Sequence, residues 1–151
     1  MKLYHYTSLN NLKIILNDRC IKTSPSNLLR PINPKIIDGI LKDKTDSYKP
    51  VVWFSNVFDF SRAKNMGLKA STEDKTEAAI IIDANDAQKW AVWATNNNID
   101  KSWFYALKTT APEWKSFYII EHDVIITEET KIVFRPDIMK QFLANEQEGK
   151  T

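Results

Sequence analysis

Apolar and polar positions alternate in KLYHYT, residues 2–7, which predicts a short strand. Ser8 follows as a good N-cap, and Leu9, Leu12, Ile15 and Leu16 fall on one face of a helix ending near Asp18. Residues 20–23 read as a second short strand. Pro25, Pro31, Pro34 and Pro50 break up the segment 24–50. One helix is expected there, from 34 to about 42, with proline at its start and Ile36, Ile37, Ile40 and Leu41 inward. The polar run 42–50 reads as an exposed loop.

The second half carries stronger signals. VVWFSN, residues 51–56, is an apolar strand, and 58–67 reads as a short helix ending at Gly67. A polar loop over 69–77 leads to AAIIIDA, whose unbroken apolar run predicts a buried strand. Asp86 is placed to cap a helix over 87–98 that turns Trp90, Trp93 and Ala94 to the core. Residues 96–112 read as a mostly irregular connection. Two strands are expected at about 114–120 and 131–134, with a third piece at 124–126. A short helix then leads into a polar tail. Strands and helices mix without regular alternation, so the fold class is α+β with mostly antiparallel strands. The expected organisation is one domain over 1–142 and a flexible tail over 143–151.

Composition narrows the function. The 151 residues suit one domain with a proper core. Lys and Arg number 21 against 19 Asp and Glu, so no global basic field implies nucleic acid, although a local patch would suffice. The one cysteine, Cys20, excludes an intrachain disulfide framework and suits a reducing compartment. No apolar run approaches the ~18 residues of a membrane span, and no secretory signal is visible, so the expected location is cytoplasmic. Only three glycines occur, and neither a Walker loop nor a dinucleotide-fold fingerprint is present. With two histidines and one cysteine, a zinc site lacks ligands, and no metal is expected.

His5 is the first candidate for chemistry. Beside aromatics, such a histidine is either a satisfied packing residue or part of a ligand site. The order of pieces favours the site. A strand ending in His5-Tyr6-Thr7 runs into a helix. VVWFS comes well downstream, and Glu113 stands at the start of a late strand in PEWKSFYII. This order resembles the histidine-containing branch of the ADP-ribosyltransferase superfamily. There a first strand carries LYHGT-like residues, a later one YFA- or YFS-like residues, and a late strand begins with the catalytic glutamate. By motif the resemblance covers about a third of the chain. Tyr6 stands where the family commonly has glycine, and Trp53 or Phe54 replaces its middle-motif tyrosine.

The resemblance implies split antiparallel β-sheets with flanking helices and an NAD cleft between them. NAD is the implied substrate, and the implied activity is transfer of ADP-ribose to a macromolecule, nucleic acid or protein. Small stand-alone members often look like toxins or phage-conflict factors. The chemistry suits the residue types. The transition state is oxocarbenium-like, so a carboxylate near the ribose stabilises developing positive charge. A neutral His5 can hold ribose hydroxyls. Tyr6, Trp53 and Phe54 offer flat faces for nicotinamide. Thr7 and Ser55 either touch the ligand or cap and terminate elements, and Arg30 either binds the pyrophosphate or is a solvated surface residue. Glu113 is the favoured carboxylate, with Glu121 and Asp123 as the alternative. Trp103, Phe104 and Tyr105, between Lys101 and Lys108, would be base-stacking residues of an acceptor loop or buried anchors. The alternative function is an inactive nucleotide- or partner-binding module of the same fold. A metal-free nuclease using His5 or His122 is a third class, without motif support.

Overall fold

The computed structural model describes residues 1–24, 50–66, 73–97, 99 and 101–148. The chain runs β1 (Lys2–Thr7), α1 (Leu9–Asp18), β2 (Cys20–Ile21) and β3 (Val52–Ser55). It continues with α2 (Phe60–Ala63), a 3-10 turn at Lys64–Met66, β4 (Ala78–Asp83), β5 (Gln88–Lys89), α3 (Trp90–Asn96) and α4 (Lys101–Thr110). A second 3-10 turn at Trp114–Ser116 leads to β6 (Phe117–Ile120), β7 (Val124–Ile125), β8 (Lys131–Phe134) and α5 (Pro136–Glu148). Six strands form one sheet in the order β5-β6-β3-β1-β4-β8, every pair antiparallel, and β2 pairs with β7 separately. The α+β class with antiparallel strands is therefore as expected.

Both faces of the sheet are covered, which is why its central strands are apolar at successive positions. Leu3, Val52, Phe54, Ala78, Ile80, Tyr118 and Ile120 point to one side, where Leu12 and Ile15 of α1 and Val124 of β7 complete the core. Tyr6, Ala79, Phe117 and Ile119 point to the other, against Trp90, Trp93 and Ala94 of α3 and Leu107 of α4. Trp90 and Trp93 are core residues, at 2% and 1% exposure.

Several local expectations hold. Ser8 Oγ accepts the Asn11 amide at 3.1 Å and caps α1, which ends at Asp18. Arg19 then takes φ 56°, the left-handed cap conformation that glycine adopts without cost. Other expectations are corrected. Asp86 does not cap a helix. Residues 88–89 pair with β6 as β5, so α3 starts at Trp90, and the Asp86 carboxylate takes His122 Nε2 at 2.7 Å instead. Residues 101–110 of the supposed irregular connection are α4. Its aromatic and threonine residues are weak helix formers, and packing overrides propensity: Phe104 stacks on Trp90 at 4.9 Å. Residues 114–116 form a 3-10 turn rather than strand. The last helix runs through Glu148, beyond residue 142 where the domain was expected to end. The helix expected over 34–42 and the helix end expected at Gly67 lie outside the described residues. Among the described residues, no helix is long and apolar enough to cross a membrane.

One feature of the sheet positions the site. β1 pairs with β4 along its whole length, Lys2↔Asp83 to Thr7↔Ala78, but with β3 only at Tyr4↔Ser55. Val51, at the head of β3, exchanges both backbone bonds with Ser24, each 2.8 Å. Ser8 meanwhile turns the chain into α1. The two strands are thus drawn apart beyond Tyr4, and the sheet opens between His5–Thr7 and 52–54.

Candidate functional site

A cavity of about 280 Å³ occupies that opening. Tyr4, His5, Tyr6 and Thr7 line it from β1, and Trp53, Phe54 and Ser55 from β3. Because Phe54 and Ile15 belong to one face of the sheet and Met66, Leu107 and Phe117 to the other, the cavity reaches through the gap. Asn11, Lys22, Ser24 and Lys75 add polar groups.

His5 bridges the gap. Its Nδ1 lies 2.7 Å from the carbonyl oxygen of Trp53, which the interrupted ladder leaves without a strand partner. A carbonyl only accepts, so Nδ1 carries the proton and the ring is the Nδ1–H tautomer. Burial pushes the His5 pKa below the ordinary histidine value. The bond to Trp53 opposes this, and the charge of Lys75 lowers it further. His5 is thus a neutral imidazole. Nδ1 is engaged, and Nε2 is an acceptor with no partner among the described residues.

Aromatic rings flank it. Phe54 meets His5 edge-on at 5.8 Å. Trp53 lies between Trp90, at 6.1 Å, and Phe117, at 6.0 Å. Its indole Nε1 is buried without a hydrogen-bond partner among the described residues. Such an orphaned donor is costly in a finished core and common where a ligand completes the site.

Other expected contacts are already engaged. The Tyr6 hydroxyl donates to the Val57 carbonyl at 2.6 Å and accepts from the Asp59 amide at 3.0 Å, so its role is to tie β1 to the entry of α2. Burial raises its pKa. Ser55 Oγ donates to Ser116 Oγ at 3.0 Å and accepts from the Val57 amide, while Ser116 Oγ donates to the Glu113 carbonyl at 2.7 Å. This buried relay holds the start of β6 against the end of β3. Thr7 is buried on the cavity wall. Arg30 lies outside the described residues.

The relay and the register separate the candidate carboxylates. Ser55 pairs with Phe117 and Tyr4 with Ser55, so Glu113 precedes the end of β6 that lies across β3 from Tyr4. Its carboxylate is forked by Arg62, Nε to Oε1 at 2.9 Å and NH2 to Oε2 at 2.6 Å, which holds its pKa below the usual glutamate value. Glu121 follows Ile120 at the opposite end of β6 and accepts from Trp93 Nε1 at 2.8 Å. Asp123 accepts from the Thr23 amide. Among the described residues, the cavity wall holds no carboxylate, and no cluster of acidic, histidine or cysteine residues could hold a metal.

The aromatic stretch before Glu113 is helical. Lys108 Nζ sits 4.1 Å from the Phe104 ring centre and 4.2 Å from that of Trp114, which anchors α4 to the second 3-10 turn. Tyr105 is exposed. Sequence reasoning missed Tyr4, Lys22, Lys75, Leu107 and Phe117 as cavity residues. Tyr4 was within reach, because it belongs to the same motif as His5. The others come from elements remote in sequence, and no local signal marks them.

Comparison with known proteins adds no relative: no family model, no curated protein and no solved structure matches this chain.

Proposed function

We propose that the cleft binds NAD and that the protein transfers ADP-ribose to a macromolecular acceptor. The observation that carries this reading is the neutral His5, with an Nε2 acceptor that has no partner among the described residues, set among aromatic rings in a gap through the sheet. Nε2 accepts from a ribose hydroxyl, and Trp53 or Phe54 offers its face to nicotinamide. In the reaction the bond between ribose C1′ and the nicotinamide nitrogen breaks. The nitrogen keeps the bonding pair and leaves as neutral nicotinamide. An acceptor nucleophile then bonds to C1′ and loses its proton.

Glu113 is the carboxylate we assign to the developing positive charge, because the Ser55–Ser116 relay ties its backbone to the β3 end beside the cavity. Arg62 keeps it ionised. The forked pair leaves one lone-pair direction on each oxygen for a ribose hydroxyl. β1 and β3 belong to one six-stranded sheet, and its opening beyond Tyr4↔Ser55 supports the reading of a ligand cleft there. A second reading, nucleotide binding without turnover, is favoured by the absence of a carboxylate from the described cavity wall and by the engagement of Glu113 with Arg62.

The test is incubation with biotinylated NAD and separate RNA, DNA and protein fractions, using wild type, His5→Ala and Glu113→Gln. Label that depends on both residues supports the transferase and identifies the acceptor class. NAD binding without label or nicotinamide release, in a folded protein, establishes the second reading. Absence of NAD binding overturns both.

A further inference from the structure

Among the described residues, the charges lining the cavity are unbalanced. Its described wall carries two lysines, Lys22 and Lys75, and no acid. Lys22 is paired at 3.3 Å with Asp18, the last residue of α1. Lys75 is half-buried in the turn before β4 and has no ion-pair partner among the described residues. Its neighbours in the turn are turned elsewhere. Asp74 takes the Thr76 amide at 2.9 Å and Arg135 NH1 at 2.9 Å. Glu77 takes the Leu9 amide at 3.2 Å, at the start of α1. Asp74 and Glu77 thus serve the fold, Glu73 is engaged as well, and Lys75 lines the cavity. Lys75 and His5 line the same cavity, and the lysine charge helps to lower the His5 pKa.

A half-buried lysine with no ion-pair partner among the described residues offers a point charge to an anion. An anion in the cavity restores the balance. Hydroxyl and amide groups from Thr7, Ser24 and Asn11 share the same wall and suit the remaining oxygens of a phosphate.

We propose that Lys75 is the anion anchor of the cleft, receiving a phosphate oxygen of the ligand next to His5 and so selecting phosphorylated nucleotides over nucleosides. The proposal rests on the reading of the cleft as a nucleotide site. It assigns the phosphate contact to a residue outside the His5, Trp53 and Glu113 set.

Calorimetric titration tests it with NAD, nicotinamide riboside and inorganic pyrophosphate against wild type, Lys75→Met, Lys75→Arg and Lys13→Met. Circular dichroism checks that each variant is folded. Wild type is expected to bind NAD more tightly than the riboside. Lys75→Met should weaken NAD and pyrophosphate by about tenfold or more, the loss expected for one charge-assisted hydrogen bond. The riboside should be unchanged, Lys75→Arg should recover most of the loss, and Lys13→Met, at an exposed lysine off the cavity wall, should change binding by less than about threefold. Wild-type NAD affinity in Lys75→Met, or equal weakening of NAD and riboside, overturns the anchor. Pyrophosphate binding that needs Lys75, without binding of NAD or riboside, refutes the dinucleotide reading and leaves the anchor standing. Binding of none of the three refutes both.

Discussion

The neutrality of His5 makes the pH dependence of stability a direct test of the site. Its folded pKa lies below the unfolded value of about 6.5. At acid pH the unfolded chain therefore binds a proton that the folded protein resists. The contribution is fully present above the unfolded pKa and is lost as pH falls through the folded one. For a ring that stays neutral throughout, the slope below pH 6 approaches about 1.4 kcal/mol per pH unit, and the loss from pH 8 to pH 5 is at most about 2 kcal/mol. His122 works in the opposite sense. Its pKa is raised by the Asp123 carbonyl and by Asp86, so its contribution is present below about 6.5 and fades as pH rises. Its side chain is 63% exposed, so that contribution is screened to a few tenths of a kcal/mol. The clean comparison is His122→Asn against the double variant His5→Asn/His122→Asn. The asparagine amide can still donate to the Trp53 carbonyl but has no proton to gain. Urea unfolding at half-unit steps from pH 8 to 5 should show the acid loss in the single variant and lose most of it in the double. An unchanged slope in the double variant, or an NMR titration placing His5 above 6.5, would refute the neutral tautomer and with it the Nε2 acceptor.

Three further outcomes rest on named contacts. Tyr6→Phe removes both hydroxyl bonds that tie β1 to residues 57–59 and should cost about 1–3 kcal/mol in urea unfolding, with loss of amide protection at Asp59; protection unchanged there would contradict the tie. Arg19→Gly should stabilise by about 0.5–1 kcal/mol, because glycine takes the left-handed cap at no steric cost; a destabilised variant would mean that the Arg19 side chain matters more than its φ. Partial burial raises the Asp74 pKa, but the bonds from Thr76 and Arg135 outweigh it and bring the carboxyl to about 2 from 3.8. Stability is therefore present above about 4 and lost as pH falls towards 2, by about 1 kcal/mol after discounting for a 37% exposed side chain, and Arg135→Met should flatten that limb in acid titrations followed by circular dichroism.

What the sequence determined by itself was local. Alternation in 2–7, the Ser8 cap with its helix, and the apolar runs at 52–55 and 78–83 are consequences of periodicity and hydrogen-bond chemistry within a few residues, and they were legible. So was the burial of Trp90 and Trp93, which share one helical face. Where the nearest partner is distant in sequence, the pattern was silent. Helix α4 is held by Phe104 on Trp90 and by Lys108 between two rings, and β5 exists because Gln88 and Lys89 find the edge of β6. The site divides in the same way. His5 and its strand could be named from the motif. The tautomer of His5, the Arg62–Glu113 fork and the place of Lys75 on the cavity wall could not. Each is decided by a group about 50 or more positions away, brought close when Ser24 rather than β1 takes the head of β3 and the sheet opens.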